Sequence, residues 1–301
     1  MNTQLKIVTL VALAGAVVSA CSQAPNQPAS TPGPVTPAPT PAITVGPAAT
    51  TQTTPSANAT AEPVALRLVA IGDSIPYNAP YDCPGCTSFV DRYAEAVAAA
   101  TGRPVEPSNL SEHTGLTLPQ LLAKLDTLAP RLAEADVILV GIAHNSVELN
   151  ADEPCGAPLL EGEIPDWDAI DEECAVEAAE RHRVQLEELY SRIAALREGR
   201  LTILRTVNRY NDWIGWAPGN MSAEDEAKAK LVVDHWNPVL CETAEQNGFG
   251  CADIYRAFNG PDGLTPAGNL LAADHNHPSD RGNELIAEEL AKLGFDPLAV
   301  P

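Results

Sequence analysis

Basic residues are scarce in this chain. Lys and Arg number 18 against 40 Asp and Glu, a formal net charge of -22. Binding phosphates takes clustered Lys and Arg, so this balance argues against a nucleic-acid partner and disfavours a strongly anionic substrate. Long apolar runs are lacking beyond the N-terminus. The one run there, Ile7 to Val18, is too short to span a bilayer as a permanent helix. Charge is nearly absent from residues 22–63, where Glu62 is the only charged side chain. Rich in Pro, Ala, Thr, Ser and Gln and without apolar periodicity, that stretch cannot bury enough surface to offset its ordering entropy. It reads as an extended, semi-stiff tether.

What is present at the N-terminus reads as an export signal. Lys6 gives a weak positive start, the apolar run follows, and Ser19-Ala20 are small. Val18-Ser19-Ala20-Cys21 resembles a bacterial lipobox. The resemblance implies cleavage before Cys21 and acylation of its thiol and new amino group, placing the protein outside the cytoplasm on a membrane anchor. The expected organisation is a signal peptide over 1–20, a lipid-anchored tether over 21–64 and one domain over 65–301, long enough for a single sizeable core. Six cysteines remain in sequence-close pairs. In an oxidising compartment thiols pair, and the nearest-neighbour expectation is Cys83–Cys86, Cys155–Cys174 and Cys241–Cys251. Cys83-Pro84-Gly85-Cys86 also has the spacing of a redox pair.

Within the domain, short apolar runs alternate with amphipathic stretches. Strands are expected over 66–71, 104–110, 136–142, 201–207 and 251–254. Helices are expected over 88–100, 118–128, 171–198, 223–247 (interrupted near Pro238) and 279–293. Strands apolar on both faces suit a parallel sheet covered by helices on both sides. Ligands then gather at the strands' carboxyl ends, so a chemical motif should sit just after a strand.

Gly72-Asp73-Ser74 does so, after the first strand. A serine hydroxyl is a weak nucleophile until a base takes its proton, and the triplet by itself is also a common turn. Asp274-His275-Asn276-His277-Pro278 precedes the last helix. Imidazole is the natural base near neutral pH, and an acid three residues before His277 can fold back onto its Nδ1. His275 competes for the role but adjoins Asp274. A metal site using both histidines is the other reading, weakened by the lack of a nearby cysteine ligand. Gly115 and Asn145 follow the second and third strands and could present a backbone N–H and a side-chain amide to an oxyanion, beside the N–H of Ser74.

These four blocks, in this order, resemble the SGNH hydrolases, also called the GDSL esterase/lipase family, over Ala65 to Leu293. The resemblance implies a flavodoxin-like three-layer α/β/α sandwich with a five-stranded parallel sheet. It implies Ser74 as nucleophile, His277 as base, Asp274 as its orienting acid, and Ser74, Gly115 and Asn145 as oxyanion hole, with no cofactor. The third block departs from the family's Gly-x-Asn-Asp: it reads Gly141-Ile142-Ala143-His144-Asn145-Ser146, with serine where aspartate is usual. Trp213 and Trp216 follow the fourth strand, where they would either wall the cleft, stacking on a sugar or an acyl group, or pack their own loop. The expected substrate is a small ester, of an acylated glycan or a lipid. A short acyl or O-acetyl ester comes first, then a lipase, phospholipase or thioesterase. A non-catalytic surface binding module is the alternative from another class.

Overall fold

A computed structural model describes residues 63–146, 165–216 and 221–299. The signal segment, Cys21, the tether as far as residue 62, and Cys155 lie outside the described residues. The described residues fall within one compact unit, Thr60–Pro301.

Five strands form one sheet: β1 (Leu66–Gly72), β2 (Val105–Asn109), β3 (Val137–Gly141), β4 (Ile203–Val207) and β5 (Gly250–Ala252). All pairs are parallel, in the order β2-β1-β3-β4-β5. The strand order reverses beside β1, which leaves a crevice at the carboxyl ends of β1 and β3. Central β3 (VILVG) is buried throughout, as a strand covered on both faces must be.

Strand side chains alternate between two cores. Val69, Ile71, Ile138 and Val140 face α3 (Leu118–Glu134), α4 (Glu172–Leu196) and α5 (Ala223–Gln246). Leu66, Leu68, Ala70, Val137 and Leu139 face α2 (Phe89–Thr101) and α7 (Asp280–Lys292). The result is the expected α/β/α sandwich. Capping fixes the helix starts: the Ser88, Asp171, Ser222 and Ser279 side chains each accept a backbone N–H of the first turn.

Three expectations need correction. Pro238 does not interrupt its helix, because α5 runs continuously through it. Likewise α3 passes Pro130 and continues to Glu134. Two short helices were not anticipated, α1 (Ser74–Tyr77) and α6 (Ile254–Asn259), each directly after a strand. Residues 253 and 254, expected in the last strand, instead cap and begin α6. Disulfides Cys83–Cys86 and Cys241–Cys251 are formed, and Cys174 is disulfide-bonded.

Candidate active site

Gly72 ends β1 in a conformation only glycine tolerates. Its φ is 151°, and a Cβ would lie 1.8 Å from the Gly141 carbonyl oxygen. That close approach lets Asp73 N–H donate to the same carbonyl at 2.9 Å, joining the ends of β1 and β3. The Asp73 carboxylate then accepts the N–H of Ile75 and the N–H of His144, both at 3.0 Å. Burial raises its pKa to about 6 against the lowering effect of these N–H groups. One buried carboxylate thus holds the serine turn and the loop after β3 in register. Ser74 opens α1 and is 8% exposed.

His277 sits in a loop clasped at its base. Leu271 bridges Pro278, and Ala272 N–H donates to the His277 carbonyl at 2.8 Å. Inside, Asp274 Oδ1 accepts the N–H groups of Asn276 and His277, each at 3.1 Å, and Oδ2 lies 2.6 Å from His277 Nδ1. Burial pushes the Asp274 pKa up. The hydrogen bonds from the His277 ring and the two N–H groups outweigh it, so the carboxyl lies below its ordinary range. An ionised carboxylate only accepts, so the ring proton sits on Nδ1 and the Nε2 lone pair is available. Nε2 makes no hydrogen bond among the described residues. His275 takes a left-handed φ of 60°, which carries the loop round from Asp274 to His277.

Buried groups after β4 brace this loop. Tyr210 OH donates to the Asn276 carbonyl at 2.6 Å, and Asn276 Nδ2 donates to Asp212 Oδ2 at 2.8 Å. Asp212 pairs with Arg209 at 2.9 Å and lies 3.6 Å from His144 Nε2. Burial alone would raise the Asp212 pKa, but Arg209 and then His144 hold it well below the usual carboxylate range. Burial, reinforced by Arg209, pushes the His144 pKa down to about 4, leaving a neutral ring at pH 7.

Gly115 has φ 67° and open space where a Cβ would be. Asn145 Nδ2 lies 3.4 Å from the Leu116 carbonyl, so the loops after β2 and β3 meet. Ser146 fills the place of the missing aspartate: its hydroxyl donates to the Ile142 carbonyl at 2.8 Å and accepts Leu118 N–H at 2.9 Å. Trp213 packs edge-on against both Trp167 and Trp216, and with Trp167 joins the small apolar cluster under α4 and α5. Trp213 therefore packs its loop, and Trp216 stands half-buried against it.

Two residues went unnoticed in the sequence. His113 stacks on His277 with centroids 5.3 Å apart and 26° between planes. Its Nε2 is 2.8 Å from Asp82 Oδ2 and its Nδ1 is 2.8 Å from Tyr81 OH. Asp82 Oδ2 is also 3.6 Å from His277 Nε2. No linear spacing joins Asp82, His113 and His277. Only the parallel sheet brings their loops together.

A parallel five-stranded sheet, with a Gly-Asp-Ser turn and an Asp-x-x-His loop at one end, is the architecture of a GDSL-type hydrolase. The chain belongs to the GDSL-like lipase/acylhydrolase family, whose model matches residues 70–285. Among solved structures it is similar to the lipase Lip_vut3 from a goat rumen metagenome, at 21% identity and TM-score 0.59, over 77% of this chain and 99% of that one. An extracellular lipase from Streptomyces rimosus is 18% identical with TM-score 0.55, over 76% and 99%. A catalytic mutant of Axe2, an acetylxylan esterase from Geobacillus stearothermophilus, is 19% identical with TM-score 0.50, over 78% and 97%. No curated protein matches the sequence.

Proposed function

We propose that this GDSL-type hydrolase is a serine carboxylic-ester hydrolase with Ser74 as nucleophile, His277 as general base and Asp274 as the group that orients it. The observation that carries this reading is the 2.6 Å contact between His277 Nδ1 and Asp274, with Nε2 left without a hydrogen bond. His277 Nε2 takes the Ser74 proton as Oγ bonds to the ester carbonyl carbon. The oxyanion is met by the N–H groups of Ser74 and Gly115 and by the Asn145 amide. The C–O bond to the alcohol then breaks, and the Nε2 proton goes to the departing oxygen. Water repeats the sequence and frees the acid. Catalytic hydrogen bonds commonly tighten only with substrate bound, so a Ser74–His277 bond belongs to the substrate complex.

The substrate is a short acyl or O-acetyl ester. Segment 147–164 carries Glu148, Asp152, Glu153, Glu161 and Glu163 and no long apolar run of the kind that covers a lipid. The protein is exported and held at a membrane through acylated Cys21. Hydrolysis of p-nitrophenyl esters from acetate to palmitate, by wild type and Ser74→Ala, tests the enzyme. Activity should peak at short chains and vanish in the variant. Equal rates for the two proteins would refute the serine mechanism, and a peak at palmitate would turn the reading to a lipase.

A further inference from the structure

We propose that Asp82, His113 and His277 form a site for a divalent transition metal, Zn2+ being best suited, and that its occupation silences the hydrolase by taking the His277 Nε2 lone pair. The binding half stands on geometry alone. The silencing half rests on His277 being the base.

One ligand atom from each residue can be chosen so that all three lie within 4.8 Å of one another. The Asp82 Oδ2 distances are 2.8 Å to His113 Nε2 and 3.6 Å to His277 Nε2. Bonds of about 2.0–2.1 Å to a tetrahedral ion set neighbouring ligand atoms roughly 3–3.5 Å apart, so small side-chain adjustments suffice. Two imidazoles and one carboxylate with a fourth position open to water is a zinc donor set. His275, the other histidine of the same loop, is not in this group.

The surroundings are arranged as metal-binding histidines require. Each ring has its Nδ1 engaged from outside, His277 by Asp274 and His113 by Tyr81 OH, which turns both Nε2 atoms towards Asp82. Asp82 is set by its own N–H donating to the Ala79 carbonyl at 3.0 Å and by the disulfide that begins at the next residue. The ligand side chains are 10% (Asp82), 26% (His113) and 14% (His277) exposed, sheltered yet open to an arriving ion. Protons balance without a co-reactant. In the metal-free protein His113 Nε2–H donates to Asp82. When the metal takes that nitrogen, the ring proton moves to Nδ1 and the Tyr81 oxygen accepts it. His277 already carries its proton on Nδ1, so no rearrangement is needed there.

The test uses protein purified without a histidine tag and stripped with a chelator that is then dialysed away. Zn2+ is titrated by calorimetry and, in parallel, against p-nitrophenyl acetate hydrolysis, each protein being compared with its own metal-free rate. Wild type should bind Zn2+ saturably below millimolar and lose activity over the same range, with recovery on adding chelator. Tyr81→Phe, which removes only an outer partner, should weaken binding by roughly 10-fold. His113→Gln and Asp82→Asn should weaken it further, with inhibition shifting in step. No saturable binding by wild type, or equal inhibition of wild type and His113→Gln, would overturn the site. Binding that weakens in this order while hydrolysis is unaffected or stimulated would keep the metal site. That outcome would overturn its silencing role, while the assignment of His277 as base stands or falls on the activity of His277→Ala.

Discussion

Asp274 serves His277 twice, through the ring nitrogen and through two backbone N–H groups of the loop, so its removal frees both the tautomer and the loop. Asp274→Ala should lower kcat on p-nitrophenyl acetate on the order of 100-fold. Ser74→Ala and His277→Ala should each cost on the order of 10,000-fold or more. Wild-type rates in Asp274→Ala would remove it from the proposed triad. A second prediction concerns His144 and Asp73, whose buried side chains titrate with opposite consequences. His144 falls from an ordinary 6.5 to about 4 in the fold. The unfolded chain therefore binds its proton first, and stability drops by about 3 kcal/mol as pH falls through that window. Asp73 rises from 3.8 to about 6, so it adds about 3 kcal/mol as pH falls between those values. In wild type the two offset. In His144→Gln only the Asp73 contribution remains, and its stability deficit at pH 7 should shrink on acidification. Urea midpoints at several pH values read this, and a deficit independent of pH would contradict it. At this scale the Asp274–His277 contact was legible, because the two residues stand three apart in one loop. Asp82 and His113 were not, because their meeting depends on how two separate loops fold over the sheet.

Elements hold the site through buried asparagines. Asn237 in α5 accepts Arg209 N–H at 2.9 Å and donates to its carbonyl at 2.8 Å. Asn259, at the end of α6, does the same for Asn211 at 2.7 and 2.8 Å. Each asparagine imitates a neighbouring strand, and between them they fix the segment that carries Tyr210 and Asp212 under the His277 loop. Asn237→Leu leaves a buried N–H and carbonyl unpaired and should cost about 2–4 kcal/mol in urea unfolding. It should also lower kcat by loosening the Asp212–Asn276 contact, whereas a stability loss with kcat intact would separate α5 from the site. No motif in the sequence singles out these asparagines, since the backbone each one clasps lies 28 and 48 residues away in the chain. β1, β3 and β4 were clear from their apolar runs, whereas the edge strands β2 (VEPSN) and β5 (GCA) depart from the expectation of strands apolar on both faces, because an edge is covered less. The helices survived Pro130 and Pro238 because packing of α3 and α5 on the sheet outweighs one lost hydrogen bond.

For the whole molecule, alternating strands and helices foretold a parallel sheet, while the strand order awaited the pairing of β1 with both β2 and β3. A charge of -22 sets the conditions under which such a domain can live at a membrane. Phospholipid surfaces are commonly anionic, so this charge opposes electrostatic adsorption, and the proposed anchor has to hold the chain through apolar contact. One acyl chain binds only marginally, and stable anchoring takes two signals. Acylation of both the thiol and the amino group of Cys21 would supply them. The fold and the proposed catalytic residues lie within Thr60–Pro301, well beyond that anchor in sequence. Attachment and hydrolysis should therefore separate cleanly. Wild type made in bacteria should incorporate labelled palmitate and move into the detergent phase on temperature-induced phase separation. Cys21→Ser should stay in the aqueous phase, unlabelled, and hydrolyse p-nitrophenyl acetate at the wild-type rate. A Cys21→Ser protein that still enters the detergent phase would overturn the lipid anchor and leave the active-site proposal standing. A Cys21→Ser protein that is aqueous, folded and inactive would show instead that the soluble ester is turned over only at a membrane surface.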